Sequence, residues 1–518
     1  MRMGNEVYNK NCRGITTLAA TVAALICVGV QFPAYSQSGS KRPEVYDWLQ
    51  FNFDAQHSGN DTMETGLGQE NISGLRELYH VSLPDVADGA PVYLSNVYTA
   101  HRTLNMIFVT TKEGDIVALD ASTGEKIWQH QYGSGSYRIN NGYQPTYTTS
   151  SPVVDFNKEF VYSYGLDGFV HKYHIESGDE VKGGGWPELT TLKPFNEKGS
   201  SPITMATAKN GVTYLYMPNG GYLGDRGDYQ GHVTAINLTD GSQHVFNANC
   251  SDNPVHFVQK PGKPDCTSVQ SAIWARAGVV YLAATDRIYM ATGNGPFNPA
   301  HHDWGDTIFS LNPDGTGIDG NPVDSYTPSN EAQLNDADLD LGSTAPAVVP
   351  VPDNCGVKNL AVQGGKDAKL RLVNLEDLSG KGGPGHTGGE IGKLVDIAGD
   401  EMLFTAPAVW ANPKDHSAWV FVETYNNLAA YQLNVDRKGM PSLKIMWKSS
   451  SGGSSPVVAN DILYCAGSNN LRAIDPVSGK VLWHDSHIGR IHWESPIVDN
   501  GVLFITDESG DLNAYGLK

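Results

Sequence analysis

Three aspartates alternate in the run Asp336-Ala337-Asp338-Leu339-Asp340-Leu341-Gly342. Carboxylates this close repel one another unless a cation or a ring of donors neutralises them. In an extended stretch, alternation puts all three on one side. They would then form a hard oxygen-donor site for a cation, or a source of proton acceptors; a solvated acidic loop is the competing reading. Asn294 lies in Ala291-Thr292-Gly293-Asn294-Gly295. Its amide oxygen suits calcium, although Gly-Asn-Gly equally makes a tight turn. His301-His302-Asp303 and Asp306 offer ligand types at loose spacing within a Pro/Gly loop. His492-Trp493-Glu494 sits where a strand opens, either touching a ligand or packing. The sequence holds no hydrolase nucleophile elbow and no phosphate-binding glycine loop. It also lacks Cys-x-x-Cys-His, so it attaches no c-type haem.

The elements that must position these residues come from a repeat. Ile107-Phe108-Val109-Thr110, Glu113-Gly114-Asp115, Ile116-Val117-Ala118-Leu119-Asp120, Ser122-Thr123-Gly124 and Ile127-Trp128 read as strand, turn, strand, turn, strand. Asp120 and Thr123 can bond backbone within the second turn, and Trp128 can pack between repeats. The unit recurs at Ile462-Leu463-Tyr464, Leu471 to Asp475, Ser478-Gly479 and Leu482-Trp483, with weaker copies between. A second mark is a small residue followed by proline: Ala90-Pro91, Ser151-Pro152, Ser201-Pro202, Ala345-Pro346, Ala406-Pro407, Ser455-Pro456 and Ser495-Pro496. An eighth, at Ser271-Ala272-Ile273-Trp274, lacks the proline. The marks lie about 40 to 75 residues apart, the length of a four-stranded propeller blade. The expected fold is all-β: an eight-bladed propeller of four-stranded antiparallel blades. The last repeat stops after its third strand, so the outer strand is expected from the N-terminal side, near Leu75 to Val81, closing the ring.

The 518 residues include 57 glycines and 28 prolines, with only 18% charged residues, which suits short strands and tight turns. The formal net charge of -20 opposes nucleic acid as a partner. Arg2, Lys10 and Arg13, the apolar run Leu18 to Val30, and Ala34-Tyr35-Ser36 read as a secretory signal over 1–36, cleaved before Gln37. A periplasmic or secreted location is therefore expected, with 37–518 as a single domain and no membrane span. Ile26 before Cys27 argues against a lipid anchor. In an oxidising compartment Cys250 and Cys266 could close a polar loop as a disulfide, while Cys355 and Cys465 read as buried thiols.

The repeats, together with Asp47-Trp48, Phe53-Asp54, Asn71-Ile72 and Leu75, resemble those of pyrroloquinoline quinone (PQQ) proteins, the quinoprotein alcohol dehydrogenases in particular. The resemblance implies PQQ and a calcium or lanthanide ion in a central funnel. It implies Trp274 as the floor beneath the quinone and Asn294, Asp338 and Asp340 as metal neighbours. Asp338 would be the catalytic base, with Asp340 the second choice. Lys366, in Gly364-Gly365-Lys366-Asp367, would reach the quinone oxygens, while Arg138 and Thr149 would hold the cofactor, the arginine on a carboxylate. Electrons from a small or polymeric alcohol would pass to a separate acceptor such as a c-type cytochrome. The sequence departs from the family in lacking its adjacent cysteine pair, and Tyr222 stands near the place of its metal-ligating glutamate, followed by Asp225 and Asp228. Those losses leave a second expectation open: a non-catalytic propeller that binds protein or glycan.

Overall fold

Tight turns and short apolar strands build every blade. The Asp120 turn shows how. Asp120 Oδ1 accepts from Ser122 N at 2.9 Å, and its carbonyl accepts from Gly124 N at 2.8 Å. Gly124 takes φ +75°, a left-handed conformation that glycine adopts without side-chain strain. The Asp475 turn repeats the arrangement, with Gly479 at φ +72°.

The structure is a computed structural model that describes residues 46–139, 142–258 and 262–517. The expected secretory signal lies outside them. The chain divides into Met1–Glu44 and Val45–Lys518, and the described residues all fall in the second unit. That unit is an eight-bladed β-propeller, as the repeat predicts. Each blade has four antiparallel strands, the first of them being Val92–Tyr98, Val153–Val154, Thr204–Thr207, Val280–Leu282, Ala347–Val349, Ala408–Ala411, Val457–Ala459 and Ile497–Asp499; Asn60–Asp61 adds a fifth strand parallel to Val457–Ala459, and Glu197–Lys198 adds one antiparallel to Thr213–Gly221. We number the blades 1 to 8 in that order. Blade 8 is completed by Arg76–Ser82, which pairs antiparallel with Asp511–Gly516. The ring is thus closed by the N-terminal strand, as expected.

Neighbouring blades are joined in two ways. Near the axis, hydroxyl side chains stitch one strand head to the next. Ser151 Oγ accepts from Ala90 N (2.8 Å), Thr149 Oγ1 donates to Ser200 O (2.9 Å), and Thr344 Oγ1 donates to Thr405 O (2.9 Å). Larger side chains would not fit this crowded centre, which explains the small-residue marks. At the periphery, an aromatic ring of one blade caps the glycine turn of the next. Trp128 Nε1 of blade 1 donates to Ile175 O of blade 2 (2.9 Å), and a Cβ on Gly178 would lie 2.6 Å from its ring. Trp447 of blade 6 treats Pro476 and Gly479 of blade 7 the same way. Tyr79, on the closing strand of blade 8, bonds Ala121 O and covers Gly124 of blade 1.

Cys250 and Cys266 form a disulfide with Cα atoms 5.9 Å apart, and Cys355 and Cys465 are free and buried. The aspartate run differs from expectation. Glu331–Asp336 is an α-helix, the only one among the described residues, and Asp338 has φ +54°. The three aspartates therefore do not share one extended face. Leu334 anchors the helix in the core, and Glu, Ala, Gln and Leu are good helix formers.

Candidate functional site at the strand heads

The chemistry-bearing residues gather at the heads of the innermost strands, around two linked clusters. The first centres on Asp340, which is 3% exposed. Its Oδ1 accepts from Asn294 N at 2.8 Å; its Oδ2 accepts from Trp274 Nε1 at 3.1 Å and lies 2.9 Å from Lys366 Nζ. The Lys366 ammonium also reaches Asp338 Oδ1 at 2.9 Å and sits 5.6 Å from the centre of the Trp274 ring. A Cβ on Gly293 would fall 3.0 Å from Asp340 Cγ, so the Gly-Asn-Gly turn needs its first glycine for close approach. Asn294 therefore meets Asp340 through its backbone. Burial opposes the charge on Lys366, but Asp340 and Asp338 outweigh it and hold the ammonium above its ordinary pKa. Burial lifts Asp340 above the usual carboxylate range, against the pull of Lys366 and the Asn294 N–H. Asp306 lies behind this group, and its backbone N–H donates to Gly293 O at 2.9 Å. Burial raises its pKa to about 8, while its Oδ1 accepts from Leu341 N at 2.9 Å.

The second cluster surrounds Asp88, which is fully buried. Its carboxylate accepts from His492 Nδ1 (2.9 Å) and Trp493 N (3.0 Å) and lies 3.3 Å from Lys112 Nζ, which also pairs with Glu508 at 2.6 Å. Burial resists its ionisation, but His492, Lys112 and Arg276 outweigh that cost and depress its pKa. Arg276 donates to Thr149 O at 2.7 Å and Asp88 O at 3.3 Å, and its guanidinium lies 5.0 Å from the Trp493 ring centre. Aromatic rings join the two clusters. Trp274 and Phe404 are 6.1 Å apart, and Phe404 and Trp493 are 5.9 Å apart. Beside Phe404 and Trp493 opens a cavity of about 510 Å³, lined also by Thr424, Tyr425, Asn426 and His492.

Trp274, Asn294, Asp338, Asp340 and Lys366 thus come together, and Thr149 belongs to the second cluster. Arg138 stands apart. It is exposed on Ser136–Ile139 and faces a separate cleft with Tyr143, Phe195 and Arg226. Its neighbour Tyr137 is buried against Tyr222, with ring centres 4.3 Å apart, so strand alternation turns Arg138 outward. The loosely spaced histidine segment does not assemble: Asp303 accepts from Cys250 N and Ser268 Oγ, while His302 meets Asn321. Sequence reasoning passed over Asp88, Arg276, Phe404, Lys112 and Lys198. Position was the available signal, since Asp88, Phe404 and Trp493 each stand three residues before the proline of their strand mark.

The Asp340 cluster does not fit a calcium or lanthanide ion. Both oxygens of Asp340 are engaged, and Lys366 already bridges Asp338 and Asp340. Tyr222 is buried in an aromatic stack, with its hydroxyl on Pro194 O. Asp225 accepts from Tyr229 and Asp228 from Gln230, so neither replaces a ligand here. A planar, multiply charged quinone is better served. Half-buried aromatic faces at Trp274, Phe404 and Trp493 alternate with the cations Lys366 and Arg276.

Comparison with known proteins agrees with the fold. A protein-family model described as outer membrane protein assembly factor BamB, of the PQQ_2 type, matches residues 97–245. No curated protein matches the sequence. Among solved structures, the chain is similar to a europium-containing methanol dehydrogenase at TM-score 0.61 and 15% identity, covering 92% of this chain and 99% of that one. It is similar to the quinohemoprotein alcohol dehydrogenase ADHIIG from Pseudomonas putida HK5 at TM-score 0.62 and 13% identity, covering 91% and 80%. The quinohemoprotein alcohol dehydrogenase from Comamonas testosteroni gives TM-score 0.59 at 13% identity, with the same coverage. In fold, the chain is a divergent PQQ-type β-propeller.

Proposed function

We propose that this protein is a periplasmic quinoprotein oxidoreductase that oxidises an alcohol, with PQQ held among the strand heads of the propeller. The observation that carries this reading is the convergence of Trp274 and Asn294 of blade 4 and Lys366 of blade 5 on the Asp340 carboxylate. When bound, PQQ supplies a two-electron acceptor for hydride from the alcohol carbon. Trp274, Lys366 and the Thr149–Arg276 group would hold it. Asp340, fixed by three donors, orients Trp274 and Lys366 and is a positioning residue. Asp338 is exposed and, among the described residues, its side chain meets Lys366 alone through Oδ1, so its other oxygen would take the alcohol's hydroxyl proton. The cavity beside Phe404 and Trp493 is large enough for a small alcohol. Electrons then leave to a separate acceptor of the cytochrome type. A calcium or lanthanide ion would have to displace Lys366 from the acidic pair, and we assign none.

The purified protein is titrated with PQQ, alone and with calcium or lanthanum, while tryptophan emission and dye-linked alcohol oxidation are followed. The expected result is quenching and activity with PQQ alone. Absence of both under all three conditions overturns the reading and leaves a binding propeller.

A further inference from the structure

Lys198 is a buried ammonium with no acid beside it. It lies on Glu197–Lys198, just before the Ser201-Pro202 mark of blade 3, and is 7% exposed. Among the described residues its one partner is the Tyr147 ring, 4.0 Å from Nζ to the centroid, and no hydrogen bond or ion pair reaches the Nζ. The contrast with Lys193 is direct. That lysine is equally buried, yet it holds Glu197 at 3.0 Å and also donates to Gln230. Arg276 repeats the pattern of Lys198. It too is buried and, among the described residues, makes no ion pair within contact distance; it gives its hydrogen bonds to backbone carbonyls of blades 1, 2 and 3 and feels Asp88 and Glu494 only at longer range.

Burying an isolated ammonium costs several kcal/mol, and a second cation nearby raises that cost. Burial is the main force pushing Lys198 down to a pKa of about 7, and Arg276 adds to it; Lys112 also lowers it, and only Asp88 opposes. Bulk electrostatics does not explain the pair, since the chain as a whole is strongly acidic. Two unpaired cations kept against aromatic faces at the strand heads are a receptor for an anion with an organic body.

We propose that Lys198, with Arg276 beside it, binds a carboxylate of the ligand held at the strand heads. The carboxylate has two possible sources: the quinone cofactor, or a substrate that is itself a hydroxy acid. The first source rests on the function proposed above; the second does not.

Calorimetry in slightly acidic buffer, with tryptophan quenching, compares wild type, Lys198→Met and Lys198→Arg. The probes are PQQ, lactate, methyl lactate and inorganic phosphate. The expected result is that Lys198→Met weakens one of the two carboxylate probes by about tenfold, the loss of one charge-assisted hydrogen bond, while Lys198→Arg restores most of it. Lys198→Met should also keep or raise thermal stability without ligand, because it removes an unpaired buried charge. Lys198-dependent binding of PQQ supports the inference with the cofactor as source. Lys198-dependent binding of lactate but no binding of PQQ supports it with the substrate as source, and removes the cofactor reading. PQQ bound equally by a folded Lys198→Met protein, with lactate also indifferent, overturns the inference and leaves the cofactor reading standing. Phosphate or methyl lactate bound as tightly as the carboxylates overturns it as well, and no binding by any probe overturns both.

Discussion

The pair Asp340–Lys366 can be tested by a double-mutant cycle. Asp340 is 5% exposed at its side chain and Lys366 14%, whereas Asp338, the other partner of Lys366, is 64% exposed. Solvent screens the Asp338 contact, so it contributes little. Asp340→Asn removes a buried charge and leaves Lys366 on the weak partner alone. Breaking a buried pair costs about 3 kcal/mol when one partner is stranded. Lys366→Met strands Asp340 in turn, although the Asn294 and Trp274 N–H groups still hold it, and costs about 2 kcal/mol. The double variant strands neither, so its loss should fall below the sum by about 2 kcal/mol. In a unit of this size, 3 kcal/mol moves Tm by only about 3 °C, so urea unfolding followed by tryptophan emission is the better assay. Asp340→Asn should also shift the emission of Trp274, whose indole loses a charged acceptor. Strict additivity, or single losses below about 0.5 kcal/mol, would refute the idea that Asp340 is the electrostatic hub.

Other outcomes follow from the same structure. Glu494 and Asp306 are lifted to about 8 and Asp499 to about 10, chiefly by burial. Carboxyls raised in the folded state stabilise fully below their unfolded pKa and lose that contribution as pH rises through the folded value. The Tm should therefore fall from about pH 5, most steeply up to about pH 8 where all three groups contribute and more gently to about pH 10, and a rising Tm in a pH series of thermal scans would contradict the assignment. In a chain cleaved before Gln37, thiol titration should find Cys250, Cys266, Cys355 and Cys465 all unreactive in the native protein, with two reacting in denaturant and four after reduction. Breaking the disulfide as Cys250→Ser/Cys266→Ser should cost about 3 kcal/mol in urea unfolding. Gly178→Ala should cost at least about 2 kcal/mol, because φ is +75° and the new methyl meets the Trp128 ring; a neutral change would remove the docking role given to that turn.

The fold was legible because each blade repeats its own local chemistry. The Asp120 and Asp475 turns, the glycines beneath Trp128 and Trp447, and the small residues before proline are all short-range signals, and each has its structural cause within one blade or its neighbour. The closing strand was legible from a deficit, a last repeat lacking its fourth strand. The site was only partly legible. Trp274, Asn294, Asp340 and Lys366 are 20 to 92 residues apart in sequence, and their meeting depends on ring geometry that no local pattern encodes. The aspartate run misled because a buried Leu334 favours a helical turn over extension. Asp88 and Arg276 were missed because their partners are backbone atoms and side chains of distant blades.

The pairing of Arg76–Ser82 with Asp511–Gly516 also sets a clock on biosynthesis. A ribosome adding 5–20 residues per second needs about 20 to 90 s to make the partner strand after the first has emerged. Throughout that interval the segment carrying Leu78, Tyr79 and Val81 has an open edge, and the Gly124 turn lacks its Tyr79 cap. Whatever receives the nascent chain must shield one early strand for longer than any other, and the six residues Asp511–Gly516 release it.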